Sequence, residues 1–272
     1  MDSIAGYLFV TFSGESPQGE QVYFSLSRDG FFWQDINGGN PVLRSGIGEE
    51  GVRDPFLLRS RDGDKYYLIA TDLRIATGIS WEEAVKHGSR SVIVWESEDL
   101  IHWSKERSCE VGLPCAGCVW APEAIYDCEK NAYMIFWASY VEGKHRIYRA
   151  YTMDFQEFTD PEVYLEQDYD VIDMTVIRDG GKYYRLYKDE IRKSLCMDSS
   201  DSLSGEFRKI SSPVLEETIG VEGPAMFLLR DGRWCLLADQ FAVNGGYMPL
   251  VCDDLSKGRF HAVSEKEYDM GR

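Results

Sequence analysis

Ser27-Arg28-Asp29…Trp33, Ser97-Glu98-Asp99…Trp103, Thr152-Met153-Asp154…Phe158, Ser200-Asp201…Phe207 and Cys252-Asp253-Asp254…Phe260 repeat one pattern along the chain. In each copy an apolar run is followed by a small residue, an acid and then an aromatic. The closing aromatics stand at 33, 103, 158, 207 and 260, separated by 70, 55, 49 and 53 residues. A period of about fifty residues filled with short β-type segments predicts an all-β fold, a five-bladed β-propeller. A radial array brings the same position of every blade to one central mouth, so residues far apart in sequence can form one site.

Working outward from the repeat, each copy divides into strands. Arg53-Asp54-Pro55-Phe56-Leu57-Leu58 reads as a short apolar strand and Arg61-Asp62-Gly63-Asp64 as a turn. Lys65 to Ala70 and Ser91 to Trp95 then supply the next two strands, because β-branched and aromatic runs bounded by Asp/Gly turns are the hairpin signal. The pattern returns from Ala121 to Ala138, from Asp173 to Tyr187 and from Glu222 to Ala238. The predicted blades cover approximately 5–45, 52–107, 119–166, 171–212 and 220–263, within a single domain over 1–272. The first blade starts late, because Gly6-Tyr7-Leu8-Phe9-Val10 already resembles a second strand. Its inner strand is missing, and Ser264-Glu265-Lys266-Glu267-Tyr268 is a poor replacement, so the sequence reads as stopping short of a closing segment. The edge left open would favour a dimer through strand pairing. One helix is expected, where Ser80-Trp81-Glu82-Glu83 forms a capping box ahead of Ala84-Val85-Lys86. It lies between second and third strands and so borders whatever the inner strands form.

Lys and Arg number 29 against 46 Asp and Glu, a net charge of −17. That balance repels phosphates and makes nucleic acid and anionic membrane poor partners, while a neutral carbohydrate is compatible. Cys115 and Cys118 form a C-x-x-C, but no second pair follows and His87, His102, His145 and His261 are scattered. The seven cysteines are read as buried or loop thiols, with no metal site and no cofactor needed for chemistry. No apolar run has membrane-spanning length and Met1-Asp2-Ser3 lacks a basic signal start, so a cytoplasmic location is expected.

The inner strands can be aligned on the aromatic of the strand that follows. Asp54 precedes Tyr66 by 12, Ala121 precedes Tyr133 by 12, Glu222 precedes Trp234 by 12, and Asp173 precedes Tyr183 by 10. That alignment makes Asp54, Ala121, Asp173 and Glu222 equivalent, with a carboxyl group in three of the four. Acids beside a buried strand are costly unless paired or working. Convergent carboxylates raise one another's proton affinity, so one can serve as acid while another stays a base, the minimum for glycoside hydrolysis.

Arg53-Asp54-Pro55, Trp120-Ala121-Pro122-Glu123, Ile172-Asp173 and Val221-Glu222-Gly223-Pro224 together resemble the motifs of glycoside hydrolase family 43 over roughly residues 5–260. The resemblance implies a five-bladed propeller that removes α-L-arabinofuranosyl, β-D-xylosyl or, in some branches, galactosyl residues from plant-type oligo- and polysaccharides with inversion. It implies Asp54 as the general base that activates water, Asp173 as the residue that tunes and orients the acid, and Glu222 as the general acid. Inversion implies base and acid carboxyls about 6.5–9.5 Å apart. The family's axial histidine, often beside a calcium ion, has no match after Phe260, since His261 directly follows that aromatic.

Other residues carry weaker expectations. Glu123, two past Ala121, is expected on the same side of its strand and able to meet a sugar hydroxyl. Trp120 and Trp81 could stack on sugar faces. Arg53 is read as structural. Gln240 and Asn244, and likewise Lys188 and Glu190, are placed in second-to-third-strand loops as hydroxyl binders or plain turn residues. Two rivals stand beside the hydrolase: a carbohydrate-binding propeller without catalysis, and a fructan-hydrolase-like five-bladed enzyme. The latter needs a nucleophilic Asp in the first blade, where only Asp29 and Asp35 are offered.

Overall fold

The computed structural model describes residues 5–271. Five antiparallel sheets follow one another along the chain, the all-β class of the five-bladed propeller. The first sheet holds β1 (Tyr7–Thr11), β2 (Tyr23–Ser27) and β3 (Trp33–Asp35). The second holds β4 (Val52–Arg59), β5 (Tyr66–Asp72), β6 (Ser91–Ser97) and β7 (Arg107–Glu110). The third holds β8 (Trp120–Asp127), β9 (Ala132–Val141), β10 (Lys144–Thr152) and β11 (Glu162–Leu165). The fourth comprises β12 (Val171–Asp179), β13 (Lys182–Asp189), β14 (Ser194–Ser200) and β15 (Arg208–Lys209). The fifth comprises β16 (Glu222–Leu228), β17 (Trp234–Asp239), β18 (Tyr247–Cys252) and β19 (Phe260–Ala262). Helix α1 (Trp81–His87) lies between β5 and β6, with the Ser80 side chain accepting the Glu83 N–H as the capping box requires. Among the described residues no helix is long and apolar enough to cross a membrane.

The repeated small-residue-and-acid motif is a turn that ends the third strand of a sheet. Ser27, Ser97 and Thr152 accept through their hydroxyls the N–H groups of Gly30, Leu100 and Phe155. Asp29, Asp99 and Asp154 then accept the next N–H groups, from Phe31 and Phe32, Ile101 and His102, and Gln156 and Glu157. Gly30, Leu100 and Phe155 all take positive φ, which turns the chain towards the fourth strand. Trp33 and Trp103 close the turn by donating Nε1–H to the Gly30 and Leu100 carbonyls. Asp29 accepts backbone amides in this turn, and Asp35 accepts the Ser25 hydroxyl at 2.6 Å.

Because Trp33 lies in β3, as Phe260 lies in the outermost β19, β1 corresponds to a second strand and, among the described residues, the first sheet has no inner one. The segment after β19 does not fill that place. Ser264 to Glu267 forms a turn, and Asp269 then pairs in parallel with Phe32 beside β3, through Trp33 N–H to Asp269 O at 2.8 Å.

Contacts divide the chain into two compact units. One comprises Val10–Phe24 and Asn37–Asp168; its core is built on Ile69, Val94, Ile135, Trp137 and Phe155, all essentially buried. The other comprises the described residues up to Phe9, Ser25–Ile36 and those from Tyr169 on. It has a core around Leu186, Leu195, Leu236 and Leu250, and a second around Trp33, Leu229 and Cys235. Fully burying such side chains contributes about 1.5–3 kcal/mol each.

Candidate active site

Four inner strands carry the same irregularity. Pairing skips between Arg53 and Phe56, Trp120 and Glu123, Ile172 and Thr175, and Glu222 and Ala225. In each, two residues oppose one on the neighbouring strand, which is a β-bulge. The first bulge residue is left-handed every time: Asp54 at φ 47°, Ala121 at 47°, Asp173 at 52° and Gly223 at 54°. Pro55, Pro122 and Pro224 take the second position in three of them. A bulge residue is released from the ladder, so the missing proline N–H costs nothing there. The bulge is therefore where side chains leave the regular alternation of the strand.

This geometry corrects the alignment drawn from spacing. Gly223, not Glu222, is the equivalent of Asp54, Ala121 and Asp173; Glu222 stands one residue earlier, level with Arg53, Trp120 and Ile172. Each bulge residue lies five positions before the residue paired with the hairpin aromatic: 54 to 59, 121 to 126, 173 to 178 and 223 to 228. Hairpin turns differ in length, so counting on to the aromatic absorbed a one-residue slip. A second expectation fails because the bulge breaks the alternation of faces. Glu123 pairs with Phe136 and Trp120 with Ala138, so Glu123 shares its face with Trp120 across the bulge rather than with Ala121.

In the unit that holds β4 and β8, Thr71 Oγ1 donates to Asp54 Oδ2 at 3.1 Å and accepts the Ala121 N–H at 2.8 Å. Arg53 is structural, as expected, and its partners are specific. Its Nη1 meets Glu20 Oε1 at 3.0 Å, and its guanidinium lies 4.5 Å from the Phe12 ring centre and 4.9 Å from that of Trp81. Glu20 is itself buried, and its two carboxylate oxygens also accept the Ile75 and Ala76 N–H groups. Trp81, 45% exposed, meets Trp120 edge to face at 5.9 Å, and Trp120 stacks on His145 at 5.4 Å. Trp120 also packs with Leu73, Ile75 and Ala84. Next to Thr71, Asp72 is buried and accepts the Glu49 N–H and the Ser89 hydroxyl; burial pushes its carboxyl above the usual range.

In the unit that holds β12 and β16, the Gly223 N–H donates to Asp173 Oδ2 at 3.2 Å, joining the two bulges. Lys188 is not in a loop: it belongs to β13, opposite Ile172, and is almost fully buried. Its Nζ lies 2.5 Å from Glu222 Oε2, 2.5 Å from Glu190 Oε1 and 4.3 Å from the Phe241 ring centre. Burial works against its charge, but Asp173 and Glu222 outweigh it and hold the ammonium above the ordinary lysine value. Glu190, despite burial, is held below the usual carboxylate range by Lys188 and Lys193. Gln240 precedes the turn Phe241–Val243, where its Oε1 lies so close to Gly245 that a Cβ there would come within 2.9 Å. Asn244, left-handed at φ 52°, closes the same turn.

The structure thus joins Asp173, Gly223, Glu222, Lys188 and Glu190 into one hydrogen-bonded group, and ties Asp54 to Thr71 and Ala121 in another. Lys188 and Thr71 are equivalent across sheets, each opposite the residue before a bulge, and each reaches the inner strand of the following sheet. The X-Pro dipeptides at 54, 121 and 223 carried the signal for the true register. Cys115 is exposed, and Cys118 is buried with its thiol 3.8 Å from His145 Nε2 and pushed up to about 12 by burial. Among the described residues no three His, Cys, Asp or Glu side chains are grouped to hold a metal ion.

The family described as "probable glycosyl hydrolase domain", related to glycoside hydrolase family 43, matches residues 2–272. An α-L-arabinofuranosidase of Bifidobacterium longum is 36% identical over 289 residues, covering 87% of this chain and 27% of its own length. The chain therefore spans about a quarter of that curated relative. Among solved structures, an endo-1,4-β-xylanase from Bacteroides thetaiotaomicron superposes with a TM-score of 0.65 at 15% identity, covering 96% of this chain and 95% of that one. A thermostable family-43 glycoside hydrolase gives 0.65 at 13% identity, covering 99% and 92%. At such identities these two show the fold. From the match along its whole length, this chain belongs to the probable glycosyl hydrolase domains related to glycoside hydrolase family 43.

Proposed function

We propose that the chain is an inverting glycoside hydrolase that removes α-L-arabinofuranosyl, β-D-xylosyl or related residues from plant-type oligo- and polysaccharides. The arabinofuranosidase relative makes α-L-arabinofuranosides the first substrates to test. The observation that carries the reading is the recurrence of a carboxylate at a left-handed bulge, Asp54 and Asp173, with Glu222 immediately before a third such bulge. In this reading Asp54 takes a proton from a water molecule as the water's oxygen bonds to the anomeric carbon. Glu222 gives its proton to the departing glycosidic oxygen as that bond breaks, and Asp173 orients the acid's strand through the Gly223 N–H.

Aryl α-L-arabinofuranoside, β-D-xyloside and β-D-galactoside are the substrates for the test, with the first-formed anomer read by NMR. Turnover with inversion supports the proposal. Retention of configuration, or sugar binding with no turnover on any of the three, overturns it. The acidic surface, at net charge −17, further argues for neutral carbohydrate over polyanionic partners.

A further inference from the structure

Lys188 is a buried cation that the chemistry above does not use. Its side chain is 3% exposed, and its ammonium is divided between Glu222 and Glu190. Glu190 is in turn paired with Lys193, and Asp173 lies close enough to add to the charge on Lys188. Asp239 stands opposite Glu222 on β17, while Asp198 on β14 is taken by Arg185. The Phe241 ring closes a further side of the ammonium. A lysine this enclosed adopts one place, and the carboxyl bonded to it has little freedom to turn.

We propose that Lys188 is the positioning residue of the proton donor, holding the Glu222 carboxyl in one orientation and stabilising the carboxylate left when its proton departs. The inference rests on Glu222 being the general acid. It follows from Coulomb attraction at hydrogen-bond distance from an ammonium that is itself buried and fixed, which favours the negative charge that develops on the acid during the reaction. Lys188 need not touch substrate, because its whole effect passes through Glu222. Glu190 then has a defined part as the second anchor that keeps the lysine from following Glu222 outward.

The test is the dependence of rate on leaving group. Lys188→Met is expected to lower kcat about 10- to 100-fold on an unactivated disaccharide, whose leaving oxygen must be protonated. It is expected to lower kcat less than threefold on a dinitrophenyl glycoside, whose leaving group departs unaided. Lys188→Arg, which keeps the charge, should recover part of the loss on the disaccharide. Equal losses on both substrates, as a merely structural role would give, overturn the proposal. If Lys188→Met does not fold, Lys188→Gln is read by the same split. The Glu222→Gln variant separates the two ideas: if it shows no leaving-group split, the acid assignment itself has failed. A crystal structure of the Lys188 variant then decides the positioning role alone, which is overturned if the Glu222 carboxyl has not moved.

Discussion

Thr71 donates its hydroxyl hydrogen to Asp54 while accepting the Ala121 N–H, so a single side chain on β5 ties one bulge to the next. Thr71→Val removes both contacts and leaves the Ala121 amide without this acceptor. The expected cost is about 1–3 kcal/mol of stability, and a five- to tenfold fall in kcat from a less well-held base. Thr71→Ser should restore most of both. Urea unfolding and steady-state kinetics on the same samples check it; a Thr71→Val protein of unchanged stability would contradict the bridge.

Asp54→Asn and Glu222→Gln are expected to lower kcat by about 10²–10⁴-fold on unactivated substrates. They should separate on a dinitrophenyl glycoside. The Glu222 variant recovers there because the leaving group needs no proton, whereas the Asp54 variant remains slow because water still lacks its base. Circular dichroism melts confirm that both fold. Recovery of the Asp54 variant instead would reverse the two roles.

Gly223 is the one bulge residue without a side chain, at φ 54°, and no atom beyond its chain neighbours lies within 4 Å of where a Cβ would stand. Gly223→Ala therefore meets no steric clash and carries only the strain of a left-handed residue, about 1–2 kcal/mol. A cost well above that, measured by denaturant midpoint, would mean that the bulge is held more tightly than its surroundings indicate.

Asp72 supplies a pH dependence with a definite sign. Burial raises its carboxyl in the folded protein above the ordinary value of 3.8. The native state thus binds this proton more tightly than the unfolded chain. Its contribution is full below the unfolded value and is lost as pH rises through the raised one. Asp72→Asn lacks that loss, so its melting temperature relative to the parent should be higher at pH 7 than at pH 4. The opposite trend, in thermal melts across that range, would refute the assignment.

The repeat turns were legible because they are local. Ser27, Asp29 and Trp33 close their hydrogen bonds within six residues, and the same letters reappear where the same turn does. The Ser80 cap is local too. The carboxylates at 54, 173 and 222 were visible as residue types at repeat spacing. Glu222 was misplaced by one because a turn of variable length stood between it and the aromatic used to align it. The face shared by Glu123 and Trp120 was hidden for a related reason, since a bulge breaks the alternation by which faces are counted.

Composition and periodicity alone establish the sheet-rich architecture, the five-fold repetition and which acids stand on inner strands, since each depends on neighbours a few positions away. Tertiary contact alone selects Lys188 as the partner of Glu222, Thr71 as that of Asp54, and Glu20 as the anchor of Arg53. Those pairs are 34, 17 and 33 residues apart. Their energy comes from charges and hydrogen bonds brought together only after strands have paired and water has been excluded, which no local pattern encodes.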